Sequence, residues 1–193
     1  MPYTKDLLRV KPTEFNLAPG RILISVPLYN DAFFNRSVVL LTDYDEEHVA
    51  GLIVNHSLPY TVRQLVNEIQ TDAPIYLGGP VQPDALFLIH NFDNCKAAAR
   101  IMPNIYVGYN EILLALIEHH AIDTLRFKFL MGYAGWSKGQ LEEEVKKNMW
   151  VIGNPTPDLI FSTHSDQIWP SAIKVLGDDY VDWLKMPSNI SLN

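Results

Sequence analysis

A chain of 193 residues that is 48% hydrophobic and 19% charged can bury a core of its own, which excludes disordered and fibrous classes and points to one globular domain. A formal net charge of −7 with no compensating Lys/Arg cluster repels phosphate backbones and argues against direct nucleic-acid binding, and the one cysteine, Cys95, closes no intramolecular disulfide. No secretory leader is read at the start, and apolar runs such as Ile112 to Ile117 are far short of the roughly 20 residues that span a bilayer, so a cytoplasmic protein without membrane contact is expected.

Residues 1–19, with Pro2, Pro12 and Pro19 separated by Lys5, Arg9 and Lys11, read as an N-terminal arm or short helix. A single domain is then expected over 20–177. Its first strands are the β-branched runs Arg21 to Val26, Ser37 to Thr42 and Val49 to Asn55, bounded by Pro, Asn, Asp or Gly. The spacing of Val62, Leu65, Val66 and Ile69 predicts an amphipathic helix over 61–69 with Thr61 as N-cap. Ile75 to Leu77 and Ala85 to His90 read as strands separated by the turn signals Gly78-Gly79-Pro80 and Pro83-Asp84, and Ile105 to Tyr109 as a further strand. A helix from Asn110 through His120 is apolar on more than one face and is expected to be the most buried.

Thr124 to Tyr133 alternates as a long strand, Ser137 to Asn148 is a helix, Trp150 to Ile152 an edge strand, and Gln167 to Leu176 a helix stopped by Gly177. Residues 178–193 read as a polar, acidic tail. Strands arriving in runs, without strict alternation with helices, favour an α+β fold.

The sharpest chemical pattern is Gly135-Trp136-Ser137-Lys138-Gly139, which fits the G-x-S-x-G loop that presents a nucleophilic serine between a strand and a helix. Ser137 with Gln140 three residues on is also a capping box, followed by Glu142 to Glu144 where a helix N-terminus favours negative charge. His164 is the sole histidine downstream of it, so Ser137 and Gln140 are read as a helix cap rather than catalytic machinery, and no catalytic set is assigned. The six histidines show no zinc spacing, and Gly78-Gly79-Pro80 lacks the Lys and Ser/Thr of a phosphate loop, so no metal or cofactor is expected. Asn55, Gly78, Gly79, His90, Gly135 and Trp136 fall at predicted strand ends, where a shared rim would hold a small ligand or peptide.

The order G-R-I-L-I-S-V-P from Gly20, S-V-V-L-L at 37–41, G-L-I-V-N at 51–55, G-G-P-V at 78–81 and G-Y-A-G-W-S-K-G-Q-L-E at 132–142 resembles the YqgE/AlgH family of bacterial proteins over Gly20 to about Leu176. The resemblance implies an α+β fold with a bifurcated, barrel-like mixed sheet flanked by about four helices, no established enzymatic activity, and a label of transcriptional regulator. The functional expectation is a non-enzymatic regulatory or protein-interaction domain with a protein partner. The alternatives are a small-molecule-binding enzyme such as a hydrolase on the Ser137 loop, and a transcriptional regulator.

Overall fold

The computed structural model describes residues 10–11, 15–27, 29, 31–93 and 95–187, and its β-branched runs pair into ten strands. In chain order these are β1 (Ile22–Ser25), β2 (Val38–Tyr44), β3 (Val49–Ile53), β4 (Ser57–Thr61), β5 (Pro74–Leu77), β6 (Val81–His90), β7 (Ala99–Met102), β8 (Ile105–Val107), β9 (Phe127–Trp136) and β10 (Trp150–Gly153). Four α-helices accompany them among the described residues: α1 (Val62–Leu65), α2 (Glu111–Glu118), α3 (Gln140–Lys146) and α4 (Ser165–Leu176). A π-helical turn, Asp158–Ser162, precedes α4, and a 3-10 segment, Asp178–Lys185, follows it.

The main path is β10-β1-β2-β3-β9-β6-β8-β7, antiparallel at every step. Along one edge of β9 runs β6. The other edge is divided, with β5 parallel to residues 129–131 and β3 antiparallel to residues 134–136. The sheet therefore forks on β9, which makes it mixed and bifurcated as the resemblance implied. It curls without closing, because no ladder joins the end strands β10 and β7 among the described residues.

Both faces of the β1–β3 region are covered, so alternate residues serve different cores. Ile22, Ile24 and Leu40 join the largest cluster with Trp169 and Ile173 of α4, while Leu23, Val39 and Leu41 face Trp136, Leu141 and Trp150 on the α3 side. A third cluster gathers Ile75, Leu88, Phe127 and Phe129 against Leu113 and Ile117 of α2.

Several expectations are corrected. The helix expected over 61–69 is a single turn, because Val66 turns extended at φ −125° and the chain must return within a few residues to pair β4 with β5. The turn expected at Pro83-Asp84 is absorbed into β6 by a register shift between Val81 and Leu86, which spares Pro83 a ladder bond. Helix α2 is not the most buried: Ile112 is 72% exposed and Leu116 43%, whereas Ile168, Trp169, Ala172 and Ile173 make α4 the core helix. Helix α3 starts three residues later than expected, with Gly139 at its N-cap; Ser137 stands two residues before that cap, where its N–H donates to Gln140 Oε1 at 3.0 Å. Residues 178–185 are no solvated tail, since Tyr180 and Trp183 sit in the largest cluster. Of the N-terminal arm, residues 1–9 and 12–14 lie outside the described residues, as do 188–193 of the expected tail, while the Lys11 N–H donates to Tyr180 Oη at 3.0 Å.

Gly78 and Gly79 cross over β9 so closely that a Cβ on Gly79, at φ +156°, would stand 2.2 Å from the Tyr133 carbonyl carbon. Gly79→Ala is expected to cost at least about 3 kcal/mol or to prevent folding, because the contact is with backbone and cannot relax by side-chain rotation. Gly153→Ala, whose added methyl would meet Ile22 and Ile24 side chains at 3.4 Å, is expected to stay within about 1 kcal/mol of the parent. Urea denaturation of both variants checks the contrast.

Candidate functional site

The six residues read as one rim do not share one. His90 pairs with Phe127 at the start of β9 and Gly135 pairs with Ala50 near its end, a separation of roughly 26 Å at 3.3 Å per strand residue. Each polar member is committed to the backbone. Asn55 Oδ1 accepts from Val38 N–H at 2.8 Å and its Nδ2 donates to the Arg36 carbonyl at 2.9 Å. His90 is fully buried; its Nδ1 accepts from Phe92 N–H, which leaves Nε2 as the donor to the Gly108 carbonyl, both at 3.1 Å. Burial pushes its pKa down, and Tyr106 and Phe92 stack on either contact of the ring, so the imidazole is a neutral bracket. Gly78 and Gly79 are the crossing described above.

Gly135 and Trp136 do line a concavity, together with Ser137. It is a groove of about 760 Å³ on the hollow of the curled sheet. The floor is apolar, from Leu52 on β3, Val81 and Phe87 on β6, Val107 on β8 and Tyr133 on β9. Leu52 belongs to the largest core cluster and Phe87, Val107 and Tyr133 pack against it, so the groove is that core continued to solvent. One mouth is polar, with Asp43, Glu47 and His48 from the β2–β3 hairpin and Ser137 and Lys138 beyond β9. Trp136 borders the groove, but its indole packs in the cluster on the α3 side, where its N–H donates to Glu144 Oε2 at 2.9 Å and the same oxygen accepts from Trp150 at 2.8 Å.

Ser137 is exposed and meets part of the geometry a nucleophile needs. His48 lines the same groove, and its Nδ1 lies 3.9 Å from Asp45 Oδ1. That oxygen already accepts from the Glu47 and His48 backbone N–H groups at 2.8 Å each, which hold the Asp45 carboxyl below its usual pKa. The His48 and Asp45 side chains are 78% and 58% exposed, so the imidazole is left unoriented and in water. No group of three or more His, Cys, Asp or Glu among the described residues is placed to hold a metal ion.

Sequence reasoning missed the most unusual titratable group. Lys128 is 4% exposed on the inward face of β9, and its Nζ donates to the Val54 carbonyl at 3.0 Å and lies 4.4 Å from the centre of the Tyr76 ring. Among the described residues no carboxylate pairs with it, and burial pushes its pKa down to about 7. The Phe-Lys-Phe-Leu run hid it: alternation sets Lys128 opposite the two phenylalanines, on the face a half-buried strand gives to solvent, but the start of β9 is covered on both faces. Nearby, His56 is also pushed down by burial and its Nε2 meets Ser37 Oγ at 3.2 Å, a hydroxyl that donates to the Phe33 carbonyl.

The comparisons agree on one family. The model of a family described as AlgH-like matches residues 22–181. A UPF0301 protein of Parabacteroides distasonis is 35% identical over 195 residues, covering 98% of each chain, and one of Magnetococcus marinus is 31% identical over 173 residues, covering 86% of this chain and 92% of its own. Among solved structures, a Corynebacterium diphtheriae protein superposes with a TM-score of 0.74 at 18% identity, over 89% of this chain and 94% of that one. The solution structure of the AlgH protein from Pseudomonas aeruginosa gives 0.70 at 23% identity, over 94% of this chain and all of that one. These likenesses establish the fold.

The buried lysine carries a pH signature. Its folded pKa of about 7 lies below the ordinary 10.5, so between those values the unfolded chain binds more protons and stability rises with pH. The stability of the parent relative to Lys128→Met is expected to climb by a few kcal/mol from pH 6 to pH 10. Urea titrations of both proteins across that range measure it, and a difference that does not vary with pH refutes the burial of an unpaired ammonium.

Proposed function

The chain belongs to the AlgH-like family, and we propose that it acts by binding rather than by catalysis, with the groove on the hollow face of its sheet as the site. The observation that carries this reading is the groove itself: about 760 Å³, floored by apolar side chains of four strands and edged at one mouth by charge, the combination that suits an apolar-bodied ligand or partner segment oriented by a few polar contacts. The formal charge of −7 sets the class of partner against nucleic acid and toward protein or small molecule. A regulatory role would follow from partner binding and needs no contact with DNA.

The hydrolase alternative rests on Ser137 and His48 lining one groove. It is weakened by the exposed imidazole and by Asp45, whose carboxylate is already spent on its own turn. A fluorophosphonate probe is therefore expected to leave Ser137 unlabelled; a stoichiometric adduct there would establish the enzyme reading instead.

Ala50 lines the groove opposite Gly135 and has room toward it. The neutral dye Nile red is expected to bind the native protein and raise its Tm, and Ala50→Trp, which fills the hollow, to weaken that binding about tenfold or more while the fold persists. Equal dye binding by both proteins places the apolar site elsewhere.

A further inference from the structure

The groove lies between two strand edges that have no ladder partner among the described residues. The ladder of β2 with β1 pairs residues 38–40 with 22–24 and ends in the bond from Leu41 N–H to the Arg21 carbonyl and the bond from Gly20 N–H to the Leu41 carbonyl. Past Leu41 the chain of β1 has turned away; Thr42 is the extra residue of a bulge, and Asp43 and Tyr44 pair with Ala50 and Val49 of β3 on one side and, among the described residues, with nothing on the other. On the far wall, β7 is the last strand of the path and pairs with β8 alone. The two edges converge at Gly20, where a Cβ would be 3.0 Å from Met102 Cβ and 3.1 Å from the Ile101 carbonyl oxygen. Beyond that contact Thr42 and Asp43 of one edge and Ala99 and Ile101 of the other line the groove, which forms a slot between them.

We infer that this slot receives an extended segment of a protein partner, which inserts as a strand between β2 and β7 and presents alternate apolar side chains to the groove floor. This rests on the binding role proposed above for the same groove. Backbone groups of a strand edge are obligate hydrogen-bonding groups, and an added strand satisfies them while its period of two sends every second side chain downward. Charge selects the partner. The β2–β3 hairpin carries Asp43, Asp45, Glu46 and Glu47, of which Asp43 and Glu47 line the mouth, and among the described residues Lys138 is the one lysine lining it. A second copy of this acidic edge is repelled by its like charge. A segment alternating apolar with Lys or Arg matches both the floor and the mouth.

The test uses the full chain, isotope-labelled, and a capped hexapeptide Val-Lys-Val-Lys-Val-Lys as probe. The inference expects the peptide to displace Nile red and to shift and protect from exchange the amides of residues 42–44 and 99–101. It expects a Val-Glu hexapeptide, or the Val-Lys peptide N-methylated at alternate residues so that it cannot ladder, to bind at least tenfold more weakly, and Asp43→Asn with Glu47→Gln to weaken the Val-Lys peptide while Nile red binds as before. Equal binding of the N-methylated peptide overturns strand insertion, and equal binding of the Val-Glu peptide overturns the charge selection. Nile red binding in the groove with no effect of any peptide on it or on those amides overturns this inference and leaves the binding role intact, whereas failure of dye and peptide alike removes both.

Discussion

The fold depends on one residue that bonds to both sides of a division. Gly78 N–H donates to the Met131 carbonyl at 2.7 Å, and the Gly78 carbonyl accepts from Ile53 N–H at 2.8 Å, so a single residue joins β9 to the end of β3 at the point where β5 gives way. A side chain there is impossible, since a Cβ would fall 2.2 Å from the Gly132 carbonyl oxygen. With that stitch in place β9 supports β6 on one edge and β5 and β3 in succession on the other, and all three hydrophobic clusters take residues from β9. The bifurcation is thus a consequence of backbone approach rather than of side-chain packing.

What could be read in the sequence follows from this. β1, β2 and β3 are buried on both faces and announce themselves as β-branched runs with turn residues at their ends. β4 and β7 do not: Ser57-Leu58-Pro59-Tyr60-Thr61 contains a proline and is mostly exposed, and Ala99-Arg100-Ile101-Met102 is a half-exposed edge, so each is a strand through its pairing alone. Helix α2 was over-read because an apolar composition does not say which apolar residues find a neighbour. The segment after Gly177 was under-read because Tyr180 and Trp183, one 3-10 turn apart, are hidden among aspartates. The groove was legible in one corner, at Gly135 and Trp136, since the rest of its lining comes from strands far apart in sequence.

The polar residues singled out by position at strand ends turn out to serve the backbone. Asn55 ties the turn at Arg36, which holds a left-handed φ of 51°, to the start of β2, and His90 holds the loop at Gly108. In an interior with few side-chain partners, an amide or a neutral imidazole that both donates and accepts is the economical bracket for a backbone that leaves its ladder. Lys128 follows the same logic at greater cost, its ammonium satisfied by the Val54 carbonyl where β3 ends and by the face of Tyr76 on β5. It joins the strands on either side of the fork, in surroundings that push the amine toward its neutral form.

The same fork leaves the hollow open. Because β9 spends its second edge on two strands, the sheet bends around it, and the turn at Gly20 draws the far end of β7 against the start of β1 without a ladder between them. Contact at that one point fixes the gap beyond it. A closed barrel would pair this end of β2 with β7 and bury Phe87 and Tyr133 completely, whereas the observed curl leaves both edges unpaired among the described residues and Phe87 and Tyr133 half-buried. Two strand edges left beside an apolar floor are costly to a protein with no use for them, because they invite aggregation. In the strand insertion we infer, the carboxylates on the β2–β3 hairpin turn that hazard into a preference for strands of opposite charge.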